Sequence, residues 1–396
     1  MLVQEAVSSP ARLILVVLAG ALVIATALPL VRLDHWSIRV FDFPRVQITV
    51  AGVSVIALYF CFSGTPRIYQ LVILGLLVIS AGYQAAKILP YTVLMPRQVL
   101  ASESGSNDAG IRLLVANVLM ENRESEAFLN IVREYDPDVV LTMETDMWWE
   151  AALRTLEKEY PHTLSEPLDN TYGMLVHSRL EMIDAEIRFI LNEDIPSMHM
   201  QVRLPSGHRV FLHFVHPHPP NPKYSTETTE RDAELLIVGR EVKERNKPTI
   251  IAGDFNDVPW STTTRLFQKA SGLLDPRVGR GMYNTFGAGN ILLRWPLDHI
   301  FHSDHFRLVR MERGPAWGSD HFPLFIELSL ESGAGPRQEA PEMSPAEGER
   351  VDEKIDDGRQ SRIDMPANPY IAPDTVWFTP RALVVTPARD ARSPRA

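Results

Sequence analysis

Three uncharged apolar runs near the N-terminus constrain this chain more than any other feature. They cover residues 13–31 (LILVVLAGALVIATALPLV), 46–62 (VQITVAGVSVIALYFCF) and 68–86 (IYQLVILGLLVISAGYQAA). Each approaches the roughly 20 residues that a helix needs to cross about 30 Å of hydrocarbon. A cleaved signal peptide does not account for them, because residues 1–12 hold one Arg and one Glu and two further runs come after the first. The expectation is a membrane region over 1–95 with three transmembrane helices. Arg12 and Arg67 would lie on one side, and Arg32, Arg39, Arg45, Lys87 and Arg97 on the other. The positive-inside rule then favours a cytoplasmic position for the chain beyond residue 97.

Residues 110–331 alternate short apolar runs with helical patterns. Strands are expected at 111–119, 138–145, 172–178, 209–216, 248–255, 296–303 and 323–330. Helices are expected at 124–135 and 227–246, the second with Leu235, Leu236, Val238 and Val242 on its apolar face. This is a mixed α/β domain large enough for a substantial core. Residues 332–396 are rich in Pro, Glu, Arg and Ser and lack apolar periodicity, which predicts a disordered tail. Only 374–387 is more apolar.

Charge is unevenly spread. Residues 1–100 carry a formal +4 and residues 101–331 carry −12. An acidic domain argues against tight nonspecific nucleic-acid binding, which rests on Lys and Arg neutralising phosphates. The same acidity suits a site for a divalent cation. The single cysteine, Cys61, excludes an internal disulfide.

Polar residues recur where the expected strands end: Asn117, Glu144, His216, Asp254, Asn256, Asp298 and the pair Asp320–His321. A buried strand delivers its terminal side chain with little positional freedom. Any one of these residues has a bland reading as a cap or turn residue. All of them are of metal-ligand or acid–base type and all occupy equivalent positions, which the bland reading does not explain. A zinc site in HFVHPHPP is disfavoured, because His213, His216 and His218 do not fall on one strand face and prolines interrupt the run.

The ordered set ANVLMEN, TMETD, YGMLVHS, VHPHPP, AGDFNDVPWS, LDHIF and GSDHFPL resembles the endonuclease/exonuclease/phosphatase superfamily, the DNase I-like group. Within it the chain is similar to the bacterial branch that places membrane helices before the catalytic domain. The resemblance covers about 110–330. It implies a four-layer α/β sandwich, two mixed sheets flanked by helices. It also implies a Mg²⁺- or Mn²⁺-dependent hydrolase acting on a phosphodiester or phosphomonoester, and an integral protein of the bacterial inner membrane. The substrate would be a lipid headgroup, a small phosphodiester or nucleic acid.

Phosphoester hydrolysis needs charge neutralisation at phosphate, an oriented water and help for the leaving oxygen. On the resemblance, Glu144, Asn117 and Asp320 hold the metal, and Asp254 orients or deprotonates the water. Asn256, His216 and Tyr172 contact the phosphate. His321 binds phosphate or acts as acid–base, with Asp298 fixing its ring. One departure is Leu119, which stands where nuclease members tend to carry an acid. The acidic domain and the anchor favour a lipid headgroup or small phosphodiester over duplex DNA. The alternative is a catalytically inactive membrane-tethered binding or scaffold protein on the same fold. The intact glutamate, GDFN and SDH elements speak against it.

Overall fold

The computed structural model describes residues 2–31, 33–62, 66–103, 105, 108–219, 227–331 and 338–364. Its first part holds helices α1 (Leu2–Ala27), the short α2 (Trp36–Arg39), α3 (Arg45–Phe62) and α4 (Ile68–Ile88). Two stretches, Pro10–Leu30 and Ile68–Tyr91, are long and apolar enough to cross a membrane. A third qualifies if Trp36–Asp42 and Arg45–Cys61, bent by 70° at their break, count as one span. Helices α1, α3 and α4 pack on one another through Leu15, Ala19, Val55, Tyr59, Leu74 and Leu77. Many of their other aliphatic side chains, such as Leu13, Val17, Val53 and Ile79, face outward. That pattern is the reverse of a water-soluble bundle.

The α/β region comes next, in chain order: β1 (Gly110–Asn117), α5 (Ser125–Tyr135), β2 (Val139–Met143), α6 (Met147–Leu153), β3 (His162–Glu166), β4 (Met174–Ser178), β5 (Met182–Arg188), β6 (Ser197–Arg203), β7 (Arg209–Phe214), α7 (Thr229–Arg245), β8 (Thr249–Asp254), α8 (Thr262–Ser271), β9 (Asp298–His302), β10 (Phe306–Arg313) and β11 (Leu324–Leu330). Six strands form one sheet in the order β10-β11-β1-β2-β4-β3, and five form the other in the order β5-β6-β7-β8-β9. Within each sheet one pair is parallel, β1 with β2 and β7 with β8, and the remaining pairs are antiparallel.

Pleat alternation assigns each strand residue to a layer. Leu113 and Val115 of β1 meet Leu212, Phe214, Ile250 and Ala252 of the second sheet in the central core. Leu114 and Ala116 point the other way, onto Phe128, Ile131 and Trp149 of α5 and α6. On the far side Ile251 and Phe301 pack against Leu235, Val238, Leu266 and Phe267 of α7 and α8. Strands covered on both faces read as continuous apolar runs, which is why β1, β2 and β8 are plain in the sequence. The expected four-layer sandwich is therefore present. Strands β3, β5, β6 and β10 add to the seven expected. Three of them lie at sheet edges, where polar residues blur the apolar signal.

The expectation of disorder from residue 332 onward is corrected for part of the segment. Helix α9 (Pro345–Asp364) packs on α7, burying Val351 and Ile355 in the outer layer. Gly358 permits the close approach, since a Cβ there would come within 2.3 Å of Ala233 Cβ. Lys354 reaches between Asp34 and Asp232, 2.9 Å from an oxygen of each. A helix that docks through two aliphatic residues and one lysine carries little hydrophobic periodicity of its own, so its composition reads as a tail. The more apolar 374–387 lies outside the described residues.

Candidate active site

The parallel pairs bring the C-terminal ends of β1, β2, β7 and β8 to one edge of the sandwich. Asn117 is the last residue of β1 and Asp254 the last of β8. Glu144 comes directly after β2 in a left-handed conformation, φ +58°. Asn256 has φ +50°. Asn is among the residues that tolerate this region best, whereas for Glu it stores strain of the kind that collects at functional sites. Gly253, at φ +146°, sits so close to the β7 exit that a Cβ would lie 1.9 Å from the Val215 carbonyl oxygen. Only glycine can precede Asp254 there. Antiparallel register places Asp298, the first residue of β9, directly opposite Asp254.

The side chains form a continuous polar chain across the two sheets. The Asn117 amide nitrogen donates to Glu144 Oε1 at 2.7 Å and to Asp254 Oδ2 at 3.3 Å. Asn117 Oδ1 accepts from the Leu119 amide at 3.0 Å. His321 Nε2 lies 3.6 Å from Asp254 Oδ2, and its Nδ1 bonds Asp298 Oδ2 at 2.7 Å. His216 Nε2 approaches Asp254 Oδ2 from another side at 3.9 Å. Asp254 Oδ1 accepts from the Asn256 backbone N–H at 2.8 Å, while the Asn256 side-chain amide donates to the Pro217 carbonyl at 3.0 Å. The Tyr172 ring packs against His216 and His218. Asp320 is partly exposed, and it acts electrostatically on both Glu144 and His321. The nine residues expected from the sequence are thus linked to one another by hydrogen bonds, close approaches and ring contacts, Asp320 by electrostatics.

Burial sets the electrostatics. Desolvation pushes Glu144 up to about 7; the Asn117 hydrogen bond and His321 oppose this, and Asp254 and Asp320 add to it. Asp254 is likewise raised, by burial first, with His321 pulling the other way. Burial alone would lower His321, but Asp298 and Asp254 outweigh it and hold the ring at about 10, an imidazolium at neutral pH. His216 has no comparable support. Burial takes it down to about 4, so it is neutral, and its Nδ1 has no hydrogen-bond partner among the described residues.

Asp254, Asp298 and His321 bring ligand-type atoms within 4.8 Å of one another. A cationic His321 bonded to Asp298 is a poor cation ligand, so this trio suits proton handling better. The Glu144 side differs. Its hard oxygen donors lie where carboxylates raise one another, and a divalent cation would relieve that repulsion.

Several supporting residues escaped the sequence reading. Ser319 staples the SDH segment to β1, donating to the Asn117 carbonyl at 2.8 Å and accepting from the His321 amide at 3.0 Å. Thr285 Oγ1 accepts from the Asp298 amide, and the Phe286 ring lies edge-on to His321. Buried Arg231 donates to the Asn256 carbonyl at 3.0 Å and pairs with Asp232. Only the position of Ser319 beside Asp320–His321 could have marked it; the others are brought in from distant segments. Trp260 and Ser261 serve packing and capping. Trp260 Nε1 donates to the Asp42 carbonyl, and Ser261 caps α8. His299 bonds Arg277 and the Asp257 carbonyl instead, and His213 pairs with His199.

The chain is similar to several known proteins. A UPF0294 protein of Vibrio cholerae serotype O1 is 26% identical over 240 residues, covering 56% of this chain and 79% of the relative. A crystal structure of an endonuclease/exonuclease/phosphatase from Beutenbergia cavernae aligns at TM-score 0.46 and 18% identity, over 57% of this chain and 72% of that one. The human Nocturnin catalytic domain with bound sulfate anion aligns at 0.47 and 16%, over 57% and 96%. The profile of the Endonuclease/Exonuclease/phosphatase family matches residues 114–321, more than half of the chain, and takes in every expected site residue; the chain belongs to that family.

Proposed function

We propose that this protein is a membrane-anchored, divalent-metal-dependent phosphoesterase that hydrolyses a phosphodiester or phosphomonoester. The observation that carries the reading is the unbroken chain Glu144–Asn117–Asp254–His321–Asp298, built from the ends of strands in both sheets. Family membership supports chemistry at phosphoester bonds, and the apolar N-terminal helices support the anchor.

Glu144 and Asp320 would hold Mg²⁺ or Mn²⁺, with Asn117 serving Glu144 as a positioning donor, since its amide nitrogen faces the carboxylate. When bound, such an ion neutralises phosphate oxygens and stabilises charge on the leaving oxygen. Asp254, raised by burial, is a stronger base than an exposed aspartate and would orient and deprotonate the attacking water. His321, held by Asp298, would donate from Nε2 to a phosphate oxygen as charge builds. Neutral His216, Tyr172 and the second N–H of the Asn256 amide would line the same phosphate site.

The test is hydrolysis of bis-p-nitrophenyl phosphate by the full chain with Mg²⁺, Mn²⁺ or chelator. Activity should require the metal, and Glu144→Ala should retain less than about a tenth of it while staying folded, because a lost metal contact costs several kcal/mol. A folded, metal-loaded wild type without turnover on any phosphoester would instead favour the inactive scaffold.

A further inference from the structure

The segment 286–295 links the candidate site to the apolar helices. At its base Phe286 stacks on Trp295 and meets His321, while the Gly287 and Ala288 amides donate to the Asp320 carbonyl. Trp295 lies edge-on to Phe43, just ahead of α3. At its tip Asn290 Oδ1 accepts from the Leu292 and Leu293 amides, fixing a turn that projects Ile291, Leu292 and Leu293 outward. These side chains are 78%, 75% and 47% exposed. Gln47, in the first turn of α3, donates to the Leu292 carbonyl at 2.8 Å. Val93 and Leu94, just past the domain-side end of α4, are also 76% and 79% exposed. Three adjacent exposed aliphatic residues on a hydrogen-bonded turn have no folded-state use in water. Their hydrogen bond to the first turn of α3 sets them beside the apolar helices.

We propose that the 287–293 loop rests in the headgroup layer of the bilayer that α1, α3 and α4 enter, and so presents the candidate site to phosphate esters carried on membrane lipids. The proposal deepens the membrane-anchored phosphoesterase reading and rests on it. A loop with an aliphatic tip and Arg294 at its shoulder has the amphipathic character of interfacial segments. Its base is the wall that carries Asp320 and His321, so a headgroup at that level needs little displacement to enter.

The experiment uses the full chain in vesicles of phosphatidylethanolamine and phosphatidylglycerol. In a Cys61→Ser background, Leu292→Cys and the exposed control Glu157→Cys each carry an environment-sensitive fluorophore. The Leu292 label should shift to shorter wavelength and be quenched by lipids spin-labelled near the headgroup, and the Glu157 label should do neither. In a second arm, the variant Ile291→Ser/Leu292→Ser/Leu293→Ser should keep bis-p-nitrophenyl phosphate hydrolysis within about twofold. It should lose at least about tenfold on vesicles doped with sphingomyelin and phosphatidylinositol phosphates. Retained turnover of the soluble ester reports that the variant is folded. A Leu292 label that behaves like the Glu157 label overturns the proposal. So does equal loss on both substrates, or a wild type that cleaves the soluble ester and no lipid. Failure of wild type on the soluble ester with either metal would sink the phosphoesterase reading instead, and the label depth would still decide where the loop lies.

Discussion

His321 and Asp298 are 23 positions apart in sequence and 2.7 Å apart in space. The carboxylate fixes the ring and favours its charged form, so either change should act by the same route. In a double-mutant cycle of Asp298→Asn and His321→Ala, the double variant should fall within about threefold of His321→Ala alone; additive losses would break the pair. Glu144 gives a second prediction at this scale. Its folded pKa of about 7 lies above the ordinary 4.5, so folding favours the protonated form. Its contribution to stability is complete below pH 4.5 and is lost as pH rises through 7. Without metal, Glu144→Gln should therefore match wild type near pH 4.5 and exceed it by about 2 kcal/mol above pH 7, allowing for partial exposure. Adding Mg²⁺ should narrow or reverse the gap, because only wild type keeps the ligand. Urea melts at several pH values, with and without chelator, measure both effects.

Helix α7 shows how one element can read correctly and still mislead. Leu235, Leu236, Val238 and Val242 are buried as its periodicity predicts, but so are Glu230, Arg231, Asp232 and Glu234. The polar face is covered by α9 and by the segment carrying Asp34 and Arg39. Burial there would raise Asp232, yet Lys354 and Arg231 outweigh it and hold the carboxylate lowered and charged. Ending the chain at Glu331 removes Lys354 and uncovers the Val351 and Ile355 contacts. Such a truncation should cost about 3 kcal/mol or more in chemical denaturation, since breaking a buried pair leaves uncompensated charge. Lys354→Met should reproduce part of that loss. A truncated chain as stable as the full one would show that α9 adds nothing.

The apolar N-terminal helices and the α/β region share a seam. Tyr91 donates to the Pro259 carbonyl at 2.8 Å, Trp260 donates to the Asp42 carbonyl at 2.7 Å, and Tyr91, Val258, Trp260 and Leu297 form a common apolar cluster. The VPW turn just after Asp254 and Asn256 is thus fixed from the helix side. A fragment beginning at residue 98 exposes this cluster and removes the Trp260 acceptor. It should melt at lower temperature than the full chain in the same detergent and associate in solution, as read by scanning calorimetry and light scattering. A monodisperse fragment with an unchanged melting temperature would show that the seam carries no stability.

What the sequence determined by itself was local. Helix-length apolar runs, two-sided apolar strands and chemically active residues at strand ends all lie within windows of about 20 residues, where periodicity and residue type suffice. Eight of the nine candidate site residues stood out for that reason, as did the mixed α/β character, whereas Tyr172 and the layered arrangement came from the family resemblance. Tertiary structure decided which of them touch. The Asp254–Asp298 register, the Asn117 bridge between sheets and the approach of Phe286 to His321 depend on strand order and crossovers that no window contains. It also decided the fate of weakly apolar segments. Helix α9 and the Ile291–Leu293 turn have no periodic signal, because each gains its place from a partner surface supplied elsewhere in the chain: α7 for the one, the first turn of α3 for the other.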